Sequence, residues 1–379
     1  MANSSASPSN PHYVFAFLEI FECEGGIQSY IRDILRAYLA VPEAPAATVF
    51  LLRDGPNCPN PFQNSSLNFR YLKTAPAVLG RLRLVTALGL YLMQHRPTRV
   101  FCGHIRLAPL IAFLCQRLNI PYTVLTYGKE VWYPLSLGDR RALQAANRIW
   151  TISRYSRDQA CAANQLDPSR VDMVPCVVEG QAFTPGAKSS ELLAKYQLEG
   201  HRVLMTVARL WSGDIYKGVD ITIRALPEIT QIFPTVKYLV IGRGDDQPRL
   251  ARLAADLGVA EQVVFAGFVP TEALVDHYRL ADAYVMPSQE GFGIVYLEAM
   301  ACGVPVLSGD SDGSADPLQD GRLGWQVPHR DAAAVAAACI EILKGGDRRC
   351  KGDWLRQETL AKFSHEALVS CLRSLIATS

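Results

Sequence analysis

Glu290 and Glu298 stand eight residues apart, with seven between them, and bracket a Gly291-Phe292-Gly293 turn. The apolar run Ala283 to Met286 reads as a strand end, Pro287 and the turn stop it, and a helix-forming stretch opens at Ile294 and closes near Gly303. A turn of this kind offers backbone N–H groups with little side-chain bulk, and the dipole of the following helix adds partial positive charge. The segment therefore predicts an anion site suited to a phosphate. Glu290 sits just before the turn and Glu298 about one helical turn inside, so both carboxylates can face one cavity. An ordinary strand-to-helix connection with two solvated carboxylates has the same glutamate spacing. Pro287-Ser288 before the turn and Glu298-Ala299-Met300-Ala301-Cys302-Gly303-Val304-Pro305-Val306 after it set this one apart.

Other residues of chemical interest follow other apolar runs. Arg209 and Lys217-Gly218 come after Val203 to Val207. Fixed cations there can stabilise negative charge that develops on a reacting group, and the plain alternative is a salt-bridged surface pair. Gly242-Arg243-Gly244 ends the next run and lacks the third glycine of the dinucleotide fingerprint, which argues against a dehydrogenase. Glu24-Gly25-Gly26 follows the first run; paired glycines let backbone approach a ligand closely, or make a plain turn.

Positioning these residues takes alternating strands and helices. Tyr13 to Leu18, Ala47 to Leu52, Arg99 to Cys102, Tyr122 to Thr126, Arg148 to Ile152 and Val171 to Val174 read as buried strands, with helix patterns such as Ile27 to Leu39 and Ala108 to Leu118 between them. A second series comprises Val203 to Val207, Val236 to Ile241, Val263 to Phe265, Ala283 to Met286, Val304 to Leu307 and Trp325 to Val327. Two runs of this alternation imply an α/β chain with two Rossmann-like, doubly wound parallel-sheet domains. The joint is expected between Pro175 and Ser190, giving domains at 1–185 and 186–360 and a final helical segment at 361–379.

With 379 residues, 49% of them hydrophobic, the chain can build a core in each domain. Its ten cysteines include no Cys-x-x-Cys and read as scattered reduced thiols. Up to Ser190 there are 19 Lys and Arg against 12 Asp and Glu, and beyond it 19 against 24. The basic N-terminal half suits a phosphate-bearing acceptor or an anionic membrane surface, or reflects solvated helix faces. Met1 to Asn10 has no apolar stretch of a secretory signal, and Ala77 to Met93 carries Arg81 and Arg83 and is too short to span a bilayer. A cytoplasmic protein is expected, with Arg70 to Arg96 making peripheral contact with the inner face of the membrane. Ordinary core packing of that helix is the alternative.

At Ser288 to Val306 the chain resembles the retaining, nucleotide-sugar-dependent glycosyltransferases of family 4, glycosyl transferases group 1. The resemblance covers nearly the whole chain and implies the GT-B fold, two domains facing across a cleft with the last helix crossing back to the first. It implies Glu290 for the donor sugar, Glu298 for the ribose, and Gly291, Phe292, Gly293 and Ile294 for the diphosphate. Arg209 and Lys217 would be the transition-state cations, Gly25 and Gly26 would meet the diphosphate, and Gly242, Gly244, Gly267, Phe268 and Val269 would line the base. Two departures stand out. The family usually spaces its Arg and Lys five apart, and here Trp211 to Tyr216 lengthen the loop. Tyr127 stands where many relatives have a sugar-contacting His, so either Tyr127 takes that role or His104 does. Asp310-Ser311-Asp312 matches the Asp-x-Asp that binds metal in the GT-A class, but the GT-B resemblance implies no required metal and no other cofactor. The implied reaction is transfer of a hexose from a UDP- or GDP-sugar to a hydroxyl of a glycan, a glycolipid or a small molecule, with no nucleic-acid partner. A nucleotide-sugar epimerase, a phosphorylase and a catalytically silent sugar-nucleotide scaffold are the alternatives.

Overall fold

The computed structural model describes residues 11–23 and 25–377, without the side chains of residues 77 and 78. Met1 to Asn10, whose composition is unlike a secretory signal, and Glu24 of the first glycine turn lie outside the described residues. The chain forms two compact units, Met1–Pro175 with Leu368–Ser379, and Cys176–Ala367.

The first unit is built on seven parallel strands: β1 (His12–Phe17), β2 (Ala46–Leu51), β3 (Leu67–Tyr71), β4 (Arg99–Cys102), β5 (Tyr122–Leu125), β6 (Arg148–Thr151) and β7 (Val171–Met173). Their order is β3-β2-β1-β4-β5-β6-β7. Helices α1 (Gly26–Ala40), α2 (Ala77–His95), α3 (Ala108–Leu118), α4 (Leu137–Ala145) and α5 (Arg154–Asn164) connect them. The central strands are apolar on both faces because helices cover both sides; in β1, Tyr13 through Phe17 are all buried. Phe15 stacks on Phe101 with ring centres 4.7 Å apart, tying β1 to β4 through the core. Strand β3 is absent from the sequence expectations. It is the sheet edge, where Asn68 and Arg70 alternate with Leu67, Phe69 and Tyr71, so a search for continuous apolar runs passes over it.

The second unit has helices α6 (Ser190–Tyr196), α7 (Val219–Ile232), α8 (Gln247–Asp256), α9 (Thr271–Tyr278), α10 (Ile294–Ala301), α11 (Ala332–Lys344) and α12 (Gly352–Phe363). Its six parallel strands are β8 (Arg202–Val207), β9 (Val236–Ile241), β10 (Val263–Gly267), β11 (Ala283–Met286), β12 (Val306–Gly309) and β13 (Trp325–Val327), in the order β10-β9-β8-β11-β12-β13. The last helix, α13 (His365–Ala377), begins as the second unit ends, and its residues from Leu368 onward pack with the first.

Both sheets reverse their order once, at β1/β4 and at β8/β11. A crevice opens beyond the carboxyl ends of the strands at such a point, and that is where open α/β sheets bind ligands. Every candidate residue of the second unit lies at or beyond the carboxyl end of β8, β9, β10 or β11.

The segment after Pro175 goes with the second unit rather than the first, ahead of the expected limit at residue 185, and α12 explains why. Val178 N–H donates to Phe363 O at 2.9 Å. The Arg356 guanidinium donates to Phe183 O, Ala301 O and Gly180 O at 2.5, 2.5 and 2.6 Å. One planar fork thus ties three chain segments. Arg356→Ala is expected to destabilise the second unit by on the order of 3 kcal/mol, because it strands three carbonyls. Urea unfolding checks this, and Arg356→Lys should recover only part of the loss, since an ammonium lacks the fork.

Candidate active site

In the second unit, β11 ends at Met286 and α10 starts at Ile294, and the turn between them carries the first glutamate. Gly293 precedes the helix with φ of 87°, and no side chain caps the helix start. A Cβ there would lie 2.3 Å from the Tyr296 ring, so both backbone conformation and space require glycine. Tyr296 pins the turn from below: its hydroxyl donates to Met286 O at 2.7 Å and lies 3.1 Å from Ser288 Oγ. The Phe292 side chain turns into the core. It is 2% exposed and meets Phe363 edge-on at 5.8 Å, which leaves its backbone for any ligand.

Glu290 receives Lys217. Their side chains are each 17% exposed and form an ion pair through Oε1 and Nζ. Burial works against the lysine's charge, but Glu290, with Tyr216 and Asp214, outweighs it and the Lys217 pKa rises above its ordinary value. The short 3-10 turn Ser212–Lys217 delivers the lysine, and Gln289 N–H donates to Tyr216 O at 3.1 Å, fastening the two loops to each other. Arg209 takes a different partner. Its guanidinium lies 3.0 Å from Asp214 Oδ2 at an angle short of a hydrogen bond, and 4.7 Å over the Trp211 ring. Both partners come from the lengthened loop. Arg209 and Lys217 nevertheless line one recess, together with Asp246 and Arg249.

Glu298, on α10, accepts from the Tyr278 hydroxyl at 2.6 Å, an interaction that orients the carboxylate. The loops expected at the base lie on neighbouring strands, and Gly242 N–H donates to Gly267 O at 2.8 Å. Gly242 and Gly244 have a packing reason to be glycine: Cβ atoms there would lie 1.8 Å from Ala208 O and 2.0 Å from Leu210 O. Phe268 is 54% exposed with the Arg243 guanidinium 4.9 Å over its ring, whereas Val269 is buried.

In the first unit, Gly25 and Gly26 open α1. A cavity of about 420 Å³ at the β1/β4 crevice is lined by Glu19, Gln28, Arg53, His104, Arg106 and Glu130. His104 accepts the Arg106 N–H at Nδ1 (3.1 Å), which puts its own hydrogen on Nε2. Burial, with Arg106 and Arg53 nearby, pushes its pKa down to about 4, so it is a neutral donor at physiological pH. The Tyr127 hydroxyl is already committed, donating to Gly103 O at 2.6 Å, and its ring is 8% exposed and edge-on to Tyr30. Of the two, His104 lines this cavity, whereas the Tyr127 hydroxyl is turned onto backbone.

Three supporting residues stand outside the expected site: the partners of Asp54 and Tyr278 lie far along the chain, whereas Glu130 closes a local turn. Buried Asp54 accepts from Ile20, Phe21 and Glu22 N–H at 2.6, 3.3 and 3.0 Å, holding the loop that leads to Gly25. Glu130 accepts from Tyr127 and Gly128 N–H at 2.5 and 3.3 Å. Tyr278 is the partner of Glu298. In the Asp310-Ser311-Asp312 loop, Asp312 is turned onto Glu290 N–H at 2.5 Å. Among the described residues no group of three or more His, Cys, Asp or Glu could hold a metal ion.

Comparison with known proteins agrees with this layout. The family model for Glycosyl transferases group 1 matches residues 201–345. A GDP-mannose-dependent alpha-(1-6)-phosphatidylinositol monomannoside mannosyltransferase of Mycolicibacterium smegmatis is 35% identical over 265 residues, 66% of this chain and 68% of that protein. The GDP-mannose-dependent monoacylated alpha-(1-6)-phosphatidylinositol monomannoside mannosyltransferase of Corynebacterium glutamicum is 26% identical over 370 residues, 93% of this chain and 94% of its own. The crystal structure of Anabaena Alr3699/HepE in complex with UDP superposes with a TM-score of 0.80 at 17% identity, covering 97% of this chain and all of the other, which places the fold. The chain belongs to the glycosyltransferases of group 1, the family-4 type, and has the GT-B fold of two parallel-sheet α/β units.

Proposed function

We propose that this glycosyltransferase is a retaining hexosyltransferase that moves a hexose, with mannose the first candidate, from a nucleoside diphosphate sugar to a hydroxyl of a phosphoinositol-type lipid, forming an α-glycosidic bond. The observation that carries the donor half is the Lys217–Glu290 pair at the start of α10. Glu290 holds the sugar hydroxyls. Lys217, Arg209 and the α10 N–H groups stabilise the departing diphosphate, where one well-placed donor contributes about 3–4 kcal/mol to lowering the barrier. Transfer proceeds on the front face through an oxocarbenium-like state, and the leaving phosphate oxygen takes the acceptor's proton. No metal is required in this scheme. GDP-mannose is favoured among donors by the names of the mycobacterial and corynebacterial relatives.

The acceptor half is supported by two adjoining cavities in the first unit. The polar one beside His104 shares Leu18, Glu19, Arg53 and Arg106 with a larger one of about 830 Å³, whose lining includes Leu52, Leu84, Val85, Leu107 and Leu110. A polyol, a phosphate and an acyl chain fit that succession: hydroxyl-binding groups, two shared guanidiniums, then an apolar wall. The outer face of α2 extends the apolar surface, with Leu79, Leu82, Leu90 and Met93 about half exposed at helical spacing. Leu84, Leu88 and Leu92 on the same helix are buried, so α2 both packs on the core and presents an apolar stripe flanked by Arg81 and Arg83. Arg70, expected with this stripe, is instead on β3, with its guanidinium 4.8 Å over the Tyr91 ring. No helix among the described residues is long and apolar enough to cross a membrane. Peripheral docking of α2 on an anionic bilayer is the reading this surface favours.

With GDP-mannose and phosphatidylinositol mannoside vesicles, wild-type protein is expected to transfer mannose. Glu290→Gln and Lys217→Ala should each lower turnover by at least ~100-fold with the fold intact by circular dichroism. Glu298→Gln should mainly weaken GDP affinity, measured by calorimetry. Near-wild-type rates in all three would refute the site, and donor binding without transfer or hydrolysis would make the chain a scaffold. Activity should also survive dialysis against EDTA; a rate restored by manganese would overturn the metal-free scheme. On vesicles, binding should be salt-sensitive and selective for anionic lipid, and should weaken in Arg81→Glu with Arg83→Glu. Equal partitioning of both proteins would point to a soluble acceptor.

A further inference from the structure

Asp312 has no part in the donor contacts assigned above, yet it is 3% exposed and sits against the Glu290 turn. Its Oδ2 accepts Glu290 N–H at 2.5 Å, while Oδ1 accepts Ser314 N–H at 2.8 Å and the Ser314 hydroxyl. The next residue completes the clamp from the other side of the same residue, on the following peptide group: Gly313 N–H donates to Glu290 O at 2.8 Å. Only glycine fits there, because a Cβ on Gly313 would lie 1.9 Å from Gly291 O. Glu290 is thus held at both its N–H and its C=O by the loop after β12, twenty-two residues away in sequence.

We propose that Asp312 is a positioning residue that sets the backbone of Glu290 and thereby the register of the Lys217–Glu290 pair, and that its ionised form is the one that holds the catalytic geometry. This rests on the reading of Glu290 as a donor-site residue. Both carboxylate oxygens are used as acceptors; an amide nitrogen cannot accept, and a protonated oxygen accepts more weakly and must turn its hydrogen aside. An N–H₂ in place of one oxygen turns a donor toward the N–H of Glu290 or of Ser314. Buried polar networks are sensitive to such a partial loss. Misplacement of a reacting group by about 1 Å can cost about 100-fold in rate.

The clamp has a pH range. Burial, with a smaller contribution from the Glu290 charge, raises the Asp312 pKa to about 6, so the carboxylate is ionised above that pH and protonated below it. The titratable groups around it are Glu290 on the preceding turn and Tyr296 on α10, with Lys217 bound to Glu290 and the uncharged Ser314 beside it. Activity is therefore expected to fall as pH drops through about 6, and His104, at about 4, does not titrate in that window.

The test compares wild type, Asp312→Asn and Asp312→Ala at about pH 7.5 and about pH 5.5, with rates of intrinsic exchange divided out. Backbone hydrogen exchange over residues 288–293 reads the clamp without any substrate, and hydrolysis or transfer from GDP-mannose reads its consequence. In the Asn variant we expect exchange at Glu290 at least ~10-fold faster at the higher pH. Turnover should fall at least ~10-fold with donor KM within about twofold, and the acid limb seen in wild type should be gone. The Ala variant should exchange at least as fast. Wild-type exchange in both variants would overturn the proposal, as would wild-type turnover with an unchanged acid limb. Should wild type turn over no sugar nucleotide at all, the proposed function falls instead, and the exchange measurement still decides the clamp.

Discussion

A lysine and a glutamate that pair away from bulk water are the centre on which the second unit is organised. Taking Lys217 and Glu290 out of water is costly, and the cost is offset only when each charge meets the other in good geometry. Their own loops cannot guarantee that. The fold adds ties at the backbone: the 289 amide to the 216 carbonyl, and the 290 N–H and C=O to residues 312 and 313. The carbonyls and carboxylates that make these ties come from loops following β8, β11 and β12, three adjacent strands of one parallel sheet. An open sheet whose strands all point the same way delivers such loops to one edge, which is how residues 73 positions apart come to pair.

The first unit applies the same logic to a different chemistry. Its crevice residues also follow strand ends, but they present a neutral imidazole and two arginines rather than a charge pair aimed at a helix start. Helix α2 divides its residues between a buried row and an exposed apolar row, and the exposed row is what a surface-docked helix requires. In the proposed function, donor and acceptor recognition are built on separate sheets, each with its own core.

The strand-helix alternation was readable from the residues themselves, because strands covered on both faces must be apolar throughout and helices must carry a stripe of period 3.6. Edge strand β3 escaped that criterion because half of it faces solvent. Glu290, Glu298 and the glycine turn were also readable, since local spacing places them at a helix start whatever surrounds it. Local spacing could not supply partners. Arg209 went to Asp214, Phe292 turned inward onto Phe363, and the Tyr127 hydroxyl was spent on Gly103. Asp312, legible only as part of a three-residue metal-like pattern, became a clamp on a peptide. Sequence by itself determined which groups are present and which strand ends carry them; tertiary structure decided which are paired, buried or exposed, because a hydrogen bond or ion pair depends on a few ångströms between segments that only the packed sheet brings together.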